Sequence, residues 1–349
     1  MTQQDFPASP PPTMADVATR AGVALGTVSN VLNAPEKVAE ATRARVQRAI
    51  DELGFVPNRA ARVLAAGTST TIGFVIVDLA NSFFLDMARG AEREAERQGM
   101  NVLIGDSDLR IEKQRTYLRL FDEERAAGVL VAPHPDTDED VDRARARGRR
   151  IVVVNGHSGL AGCSVDADNE LGGYLAARHL IETGRRRLLF VGSRTGVPAL
   201  EDRARGARRA VAETNGAVVL SLRETSRVRA EHGREVGREL ATVSAGRRPD
   251  GIVAASDLLA VGIIEVLLAS GVSVPAEVGV VGYDDNRAAW DSALPISTVA
   301  QPGTEMGIAA TRLLLEELRS PQTHRHRHIV LEPRLVPRES SAPANRHPR

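Results

Sequence analysis

Two spacings of apolar residues divide the chain. Up to about residue 57 they recur at intervals of three and four, as on amphipathic helices. From Ile72 onward they come in short unbroken runs. The first part predicts three short helices over 14–20, 25–32 and 40–53. The last carries Val46, Ala49, Ile50 and Leu53 on one face, with Gly54 as its stop. Thr13 is the expected N-cap of the first helix, with Asp16 near its positive end. The second starts at Ala24, which offers no side-chain oxygen, a weakness of about 1 kcal/mol. In the second part IGFVIV, NVLIG, GVLVA and IVVV, then RLLFVG, AVVLSL, GIVAA and VGVVGY, read as buried strands with helical segments between them. Such alternation predicts parallel sheets with right-handed crossovers, and its repetition predicts two similar lobes. Ligands of open parallel sheets bind beyond the carboxyl ends of the strands, so function is sought in the residues there.

The stretch GVALGTVSNVLN, residues 22–33, raises a question that periodicity does not answer. Val23, Val28 and Val31/Leu32 make its inner face. Its outer face is Leu25, Gly26, Thr27, Ser29 and Asn30, poor helix formers that stability alone would not select. With the tight turn at Ala21–Val23, the pair of helices has the shape of a helix-turn-helix, whose second helix enters the major groove. There Leu25 and Gly26 allow close approach and contact with thymine methyls. Asn30 presents a donor and an acceptor to one base, most often adenine. Thr13, Thr27, Ser29 and Asn33 suit phosphate oxygens. A helical hairpin that only packs explains the inner face and leaves the outer one unexplained.

Composition narrows the class. The 349 residues allow two or three domains, and 42% apolar content fills their cores. Lys+Arg and Asp+Glu are equal at 45 each, so any nucleic-acid footprint is local. Over residues 13–67 the net charge is +2, which predicts modest non-specific affinity. Lys37 and Lys113 are the only lysines, a bias that fits a GC-rich genome. The single cysteine, Cys163, excludes internal disulfides and suits a reducing compartment. No basic-then-apolar leader opens the sequence, and no run nears the ~18 apolar residues of a membrane span. A cytoplasmic protein is expected, with no membrane partner.

The segment TMADVATRAGVALGTVSNVLN, continued by VAEATRARVQRAIDELGFVPNRAARVLAAGTSTTIG, strongly resembles the headpiece and hinge of LacI/GalR-type bacterial repressors. IVDLANSFF, RARGARRA, SDLLAVG, VGYDD and ISTVAQP extend the resemblance to about Arg338. It implies an N-terminal all-α helix-turn-helix headpiece joined to a two-lobed α/β domain like that of periplasmic binding proteins, two parallel-sheet sandwiches. The expected divisions are a disordered lead-in over 1–12, the headpiece over 13–57, hinge helix and linker over 58–71, the effector-binding and dimerisation domain over 72–340, and a flexible tail over 341–349. Lobe 1 is expected over about 72–164 and 298–321, lobe 2 over about 165–297 and 322–340. The tail lacks leucine heptads, so no helical tetramerisation segment is expected. The resemblance also implies that Leu25, Gly26 and Asn30 read bases, and that residues 58–65 form a hinge helix on DNA. In that helix Asn58 and Arg59 lie at the backbone, and Leu64 wedges into the minor groove at a cost of a few kcal/mol, offset by the surface that a bent duplex contacts. Read without the resemblance, the same residues are an ordinary linker helix.

For the cleft between the lobes the resemblance implies Asn81, Phe83 and Phe84 after the first strand, in a motif where Ser82 replaces the usual proline. It adds Asp108 after the second strand, Arg203 opening an R-x-x-G turn with Gly206, Asp284 after VGY, and Gln301. Carboxylates and a guanidinium hold hydroxyl pairs while aromatic faces cover a sugar ring. Trp290 is a second stacking candidate. Ser256 stands where the family often has Asn, which removes a carboxamide from the expected pocket. The HRHRH run, His324 to His328, is set aside as a metal site because no carboxylate or thiolate completes a site nearby. Neither a nucleophile elbow nor a phosphate loop is found, so no enzyme, no metal and no cofactor is expected. The expected function is a repressor of carbohydrate-related genes that binds a palindromic operator as a homodimer under control of a sugar-like effector. The alternatives are a corepressor-dependent or ligand-independent regulator, or a sugar-binding protein without regulatory output.

Overall fold

The computed structural model describes residues 11–56, 69–134, 137–156, 162–193 and 197–341. The chain forms two compact units, divided at Ser69/Thr70. The expected hinge residues Asn58, Arg59 and Leu64 lie outside the described residues.

The first unit is helical: α1 (Met14–Ala21), α2 (Leu25–Asn33), one 3-10 turn (Pro35–Lys37) and α3 (Glu40–Leu53). Thr13 and Asp16 close a reciprocal capping box at the start of α1. Gly22 ends α1 with φ +61, and Val23 N–H donates back to the Ala18 carbonyl at 3.0 Å, so the chain turns tightly into α2. Ala24 supplies no side-chain cap to α2, as its chemistry requires. Val17, Val28 and Val46, one from each helix, are wholly buried and form the centre of this small core with Ala49, Ile50 and Phe55.

The second unit holds two six-stranded sheets. The first comprises β1 (Thr71–Ile76), β2 (Asn101–Asp106), β3 (Val129–Val131), β4 (Ile151–Val154), β5 (Ser164–Ala167) and β11 (His328–Leu331), in the order β11-β5-β4-β3-β1-β2 and all parallel. The second comprises β6 (Arg187–Ser193), β7 (Val219–Thr225), β8 (Gly251–Ala254), β9 (Gly279–Asp284), β10 (Ser297–Ala300) and β12 (Arg334–Val336), in the order β12-β10-β9-β8-β6-β7. Only β12 runs antiparallel to its neighbour. The lobe divisions differ from expectation in three places. β5 and β11 belong to the first sheet and β10 to the second, so the chain passes between lobes near 168, 301 and 332. These strands read SVDA, HIVL and STVA, four residues with polar members, and carry too little apolar signal to assign.

Helices cover both faces of the sheets. On the first sheet lie α4 (Ser82–Glu96), α5 (Ile111–Glu123), α6 (Asp138–Ala146) and the long α12 (Gly303–Arg319). On the second lie α7 (Asn169–Glu182), α8 (Pro198–Ala212), α9 (Ala230–Thr242) and α10 (Asp257–Ala269), with the single turn α11 (Arg287–Trp290) after β9. Three helix pairs cross at facing glycines: Gly90 with Gly307, Gly173 with Gly206, and Gly233 with Gly262. At each a Cβ would come within 3.0 Å of a carbonyl oxygen on the opposing helix. Gly206 therefore lies in the interior of α8, and the R-x-x-G motif is a helix crossing, not a turn. Among the described residues no helix is long and apolar enough to cross a membrane.

Candidate functional site

On the helical unit, α2 buries Val28 and Val31 and leaves Leu25 53% exposed. Gly26 and Asn30 are also exposed, and nothing lies within 4 Å of the point where a Cβ at Gly26 would stand. The head's own packing does not require a glycine there. Thr27 and Ser29 are half-buried beside this face, and Asn33 Nδ2 donates to Ser29 Oγ at 3.3 Å. Thr13 is exposed, but its hydroxyl is engaged with Asp16 at 2.7 Å, and its hydrogen bonds hold that carboxyl below its usual range.

In the second unit a cavity of about 150 Å³ opens between the two sheets. Asn81, Phe83, Phe84, Arg203, Ser256, Asp284 and Gln301, seven of the residues that the resemblance implies for the cleft, all line it. Asn81 caps α4 by accepting from Phe83 N–H, and its amide donates to Asp284 Oδ2 at 2.9 Å across the cleft. Gln301 Nε2 donates to Asp284 Oδ1 at 2.7 Å, and the Arg203 guanidinium stands 3.6 Å from the same oxygen. Burial pushes the Asp284 carboxyl up while Arg203, Asn81 and Gln301 hold it back. Asp284 also holds φ at +104, an uncommon conformation for a non-glycine residue, at the carboxyl end of β9. Arg203 is fixed on every side: Nε donates to Asn169 Oδ1 at 2.9 Å, Nη1 donates to the Ala255 carbonyl at 2.6 Å, and its carbon lies 3.6 Å from the Tyr283 ring centroid. Phe83 and Phe84 are almost wholly buried in the core of the first lobe, with ring centroids 5.2 Å apart, and form the cavity's apolar floor.

Two expectations, for Trp290 and Asp108, need correction. Trp290 is 50% exposed on α11, donates to Asp285 Oδ1 at 2.7 Å, and is not among the cavity's lining residues. Ser256 lines the cavity, but its hydroxyl caps α10 at Leu259 N–H and donates to the Val228 carbonyl, so it is committed to structure. Asp108 is not a lining residue either. It accepts from Arg229 Nη2 at 2.9 Å, and that guanidinium also reaches Asp78 at 3.0 Å, tying the second lobe to the first at the rim. Sequence reasoning missed Arg229 and Asp78, along with Asn155, because no local pattern marks them. Four groups bridge the lobes here: Asn81 to Asp284, Asn286 Nδ2 to Asn81 Oδ1 at 3.0 Å, Arg287 N–H to Ser82 Oγ at 3.0 Å, and Arg229 to its two carboxylates. Gln301 Oε1, Asn155 Oδ1 and Arg229 Nε, all from lining residues, are buried without hydrogen-bond partners among the described residues. Each orphan costs about 1–3 kcal/mol, which a ligand with matching hydroxyls recovers.

A wider recess of about 330 Å³ adjoins this cavity and shares Pro133, Asn155, Val197 and Ala199 with it. In it burial pushes the Asp166 carboxyl up to about 7, although His328 Nδ1 lies 3.6 Å away. The folded chain therefore holds a proton that the unfolded chain releases above pH 3.8. That contribution to stability is complete below the unfolded value and is lost as pH rises through about 7. Urea denaturation is expected to show Asp166→Asn gaining about 2 kcal/mol on the native chain between about pH 5 and about pH 8. Equal pH slopes for the two proteins would contradict the assignment.

Comparison with known proteins agrees with this geometry. Residues 13–58 match the family described as bacterial regulatory proteins, lacI family, and residues 177–341 match the periplasmic binding protein-like domain. The chain is 34% identical over 329 residues to the HTH-type transcriptional regulator RegA of Clostridium saccharobutylicum, covering 93% of this chain and 98% of that protein. It is 30% identical over 331 residues to the HTH-type transcriptional repressor PurR of Aliivibrio fischeri (strain MJ11), covering 94% and 98%. A solved complex of the transcriptional regulator CelR with cellobiose superposes with a TM-score of 0.67 at 32% identity, covering 94% of this chain and 99% of that one.

Proposed function

Because the chain belongs to the lacI family of bacterial regulatory proteins, we propose that it represses carbohydrate-related genes by binding a palindromic operator as a homodimer. As a DNA-bound regulator it acts in the cytoplasm. It is a transcriptional regulator and not an enzyme. In this reading Leu25, Gly26 and Asn30 meet base edges in each half-site while Thr27, Ser29, Asn33 and Thr13 face phosphates. Asn58, Arg59 and Leu64 then engage the backbone and minor groove at the operator's centre. The cleft holds a hydroxyl-rich effector, a sugar or sugar derivative.

The observation that carries the effector assignment is the set of unpartnered buried groups lining the cavity from both lobes, two acceptors and one donor. Hydroxyls supply donor and acceptor together, and the apolar floor at Phe83 and Phe84 suits the face of a sugar ring. An effector acts only through different affinities for two lobe arrangements. The four bridges across the cleft are the contacts that such a ligand displaces or reinforces.

Fluorescence anisotropy on a palindromic duplex from upstream of the protein's own gene, at fixed salt, tests both halves. Asn30→Ala is expected to weaken specific binding at least about tenfold, the loss of one bidentate base contact. Leu64→Ala should reduce binding to the level of a random duplex. Release by cellobiose or another sugar of the panel identifies an inducer, and tightening identifies a corepressor. Equal affinity for palindrome and random duplex would sink the operator assignment. A panel without effect on a well-bound operator would sink the sugar assignment alone.

A further inference from the structure

The His324–His328 run lies where the chain returns from α12 to β11, and the fold divides it. His328 opens β11, where its Nδ1 meets Ser164 Oγ. His324 and His326 instead meet Cys163, which precedes β5 on the adjacent strand. Cys163 Sγ lies 3.1 Å from His324 Nε2 and 3.7 Å from His326 Nδ1, and all three donor atoms fall within 4.8 Å of one another. Sequence had set these histidines aside because no thiolate stood near them, and the fold supplies it from 161 residues away. Around a tetrahedral zinc ion, bonds of about 2.3 Å to sulfur and about 2.0 Å to nitrogen place S and N about 3.5 Å apart. The two observed separations straddle that value.

We propose that Cys163, His324 and His326 form a binding site for a borderline-soft divalent cation of the zinc class. The fourth position falls to water. Glu317 lines a recess of about 230 Å³ with His324 and His326, and its Oε2 is buried without a hydrogen-bond partner among the described residues. Arg145, Arg149 and Arg150 line the same recess, and their charge opposes a cation. Against that field stand the Cys163 thiolate and the Glu317 carboxylate, whose Oε1 already pairs with Arg150 Nε at 3.4 Å. Cys163 is wholly buried, and it is the thiolate, not the thiol, that ligates a metal. Binding therefore replaces the S–H bond by a metal–sulfur bond and releases one proton to solvent. The ion would staple the segment entering β5 to the segment entering β11. Both strands lead straight into crossings between the lobes, so the clamp stiffens the side of the unit on which lobe movement turns.

The test uses the full-length protein dialysed against chelator and titrated with Co²⁺, then with Zn²⁺ in competition. Expected are one cobalt per protomer, a thiolate-to-cobalt charge-transfer band, visible bands of tetrahedral intensity, and bleaching by zinc. Cys163→Ser should abolish the charge-transfer band. His326→Ala, at an exposed position that leaves the core intact, should weaken binding at least about tenfold, since losing even an outer partner costs that much. His328→Ala should bind as the native protein does. A native protein without the charge-transfer band would overturn the site. So would a His326→Ala variant that binds cobalt undiminished, which would mark an adventitious ion only.

Discussion

Replacing Arg203 by methionine is expected to destabilise the second unit by about 3–5 kcal/mol, the cost of removing one partner from a buried ion pair. The same change should abolish any effector response. Arg203 is 5% exposed and holds four groups at once: Asn169 Oδ1, the Ala255 carbonyl, the Tyr283 ring and the Asp284 carboxylate. Methionine fills much of the volume and restores none of the donors. Asp284 keeps its hydrogen bonds from Asn81 and Gln301 but loses the guanidinium that offsets its burial, so its carboxyl is pushed further up. The double change Arg203→Met with Asp284→Asn removes the stranded acid and should recover part of the stability, because neutral replacements of buried pairs are often tolerated. It should recover no effector response. Urea denaturation reads the first quantity and anisotropy with the sugar panel reads the second. A loss under about 1 kcal/mol in the single variant would mean that the pair is not the buried keystone its geometry describes.

That expectation separates two roles which the cleft combines. Asp284 is bonded from the first lobe by Asn81, from the crossing segment by Gln301, and within its own lobe by Arg203. All three elements thus converge on this carboxylate. A ligand that competes for any of these donors changes how tightly the lobes are joined. Arg229 makes the second tie at the rim, to Asp78 and Asp108, and solvent reaches it far more readily. Solvent screens this half-buried tie more than the one at Asp284, so the buried tie contributes more to joining the lobes.

How much of this was legible in the sequence depended on the length and polarity of each element. Eight strands announced themselves as apolar runs, and the central ones do so because a strand covered on both faces is apolar at nearly every position, as TIGFVI and GVVGYD show. SVDA, STVA, HIVL and RLV are as short as VLV or IVVV but interrupt the apolar run with polar residues, and they are the strands that determine where the chain changes lobe. Leu25, Gly26 and Asn30 were legible because they break the preference of a helix surface without serving its core. Arg203, Asp284 and Gln301 were legible through the family resemblance, which assigns them to the cleft. Arg229 was not, because its partners lie 121 and 151 residues away and nothing local marks it. Trp290 misled for the converse reason: nearness to Asp284 in sequence says nothing of direction, and a one-turn helix carries the indole outward. Cys163 with His324 and His326 was set aside on sequence distance alone, which parallel pairing of β5 with β11 removes.

Gly173→Ala makes the second large prediction, and local propensity gives it the wrong sign. Alanine in place of glycine inside a helix normally adds about 1 kcal/mol of stability. At Gly173 the added methyl would stand inside 3.0 Å of the carbonyl oxygen, carbonyl carbon and Cα of Arg203 on α8. The obstacle is backbone and cannot rotate away. Gly206 meets Glu170 and Tyr174 backbone atoms in the same crossing, so the helices are already at their closest approach on both sides. They must separate, at an overpacking cost of about 3 kcal/mol, the upper end of the usual range. Separation also moves the Arg203 backbone, and with it the guanidinium that faces Asp284. Effector affinity should therefore fall although no lining side chain is altered. Gly246→Ala is the control, because nothing lies within 4 Å of its Cβ position, and its effect should stay within about 0.5 kcal/mol. If Gly173→Ala is as stable as the native chain and responds to effector at unchanged concentration, the close crossing of α7 and α8 does not position Arg203. The guanidinium would then owe its place to Asn169, Ala255 and Tyr283 alone.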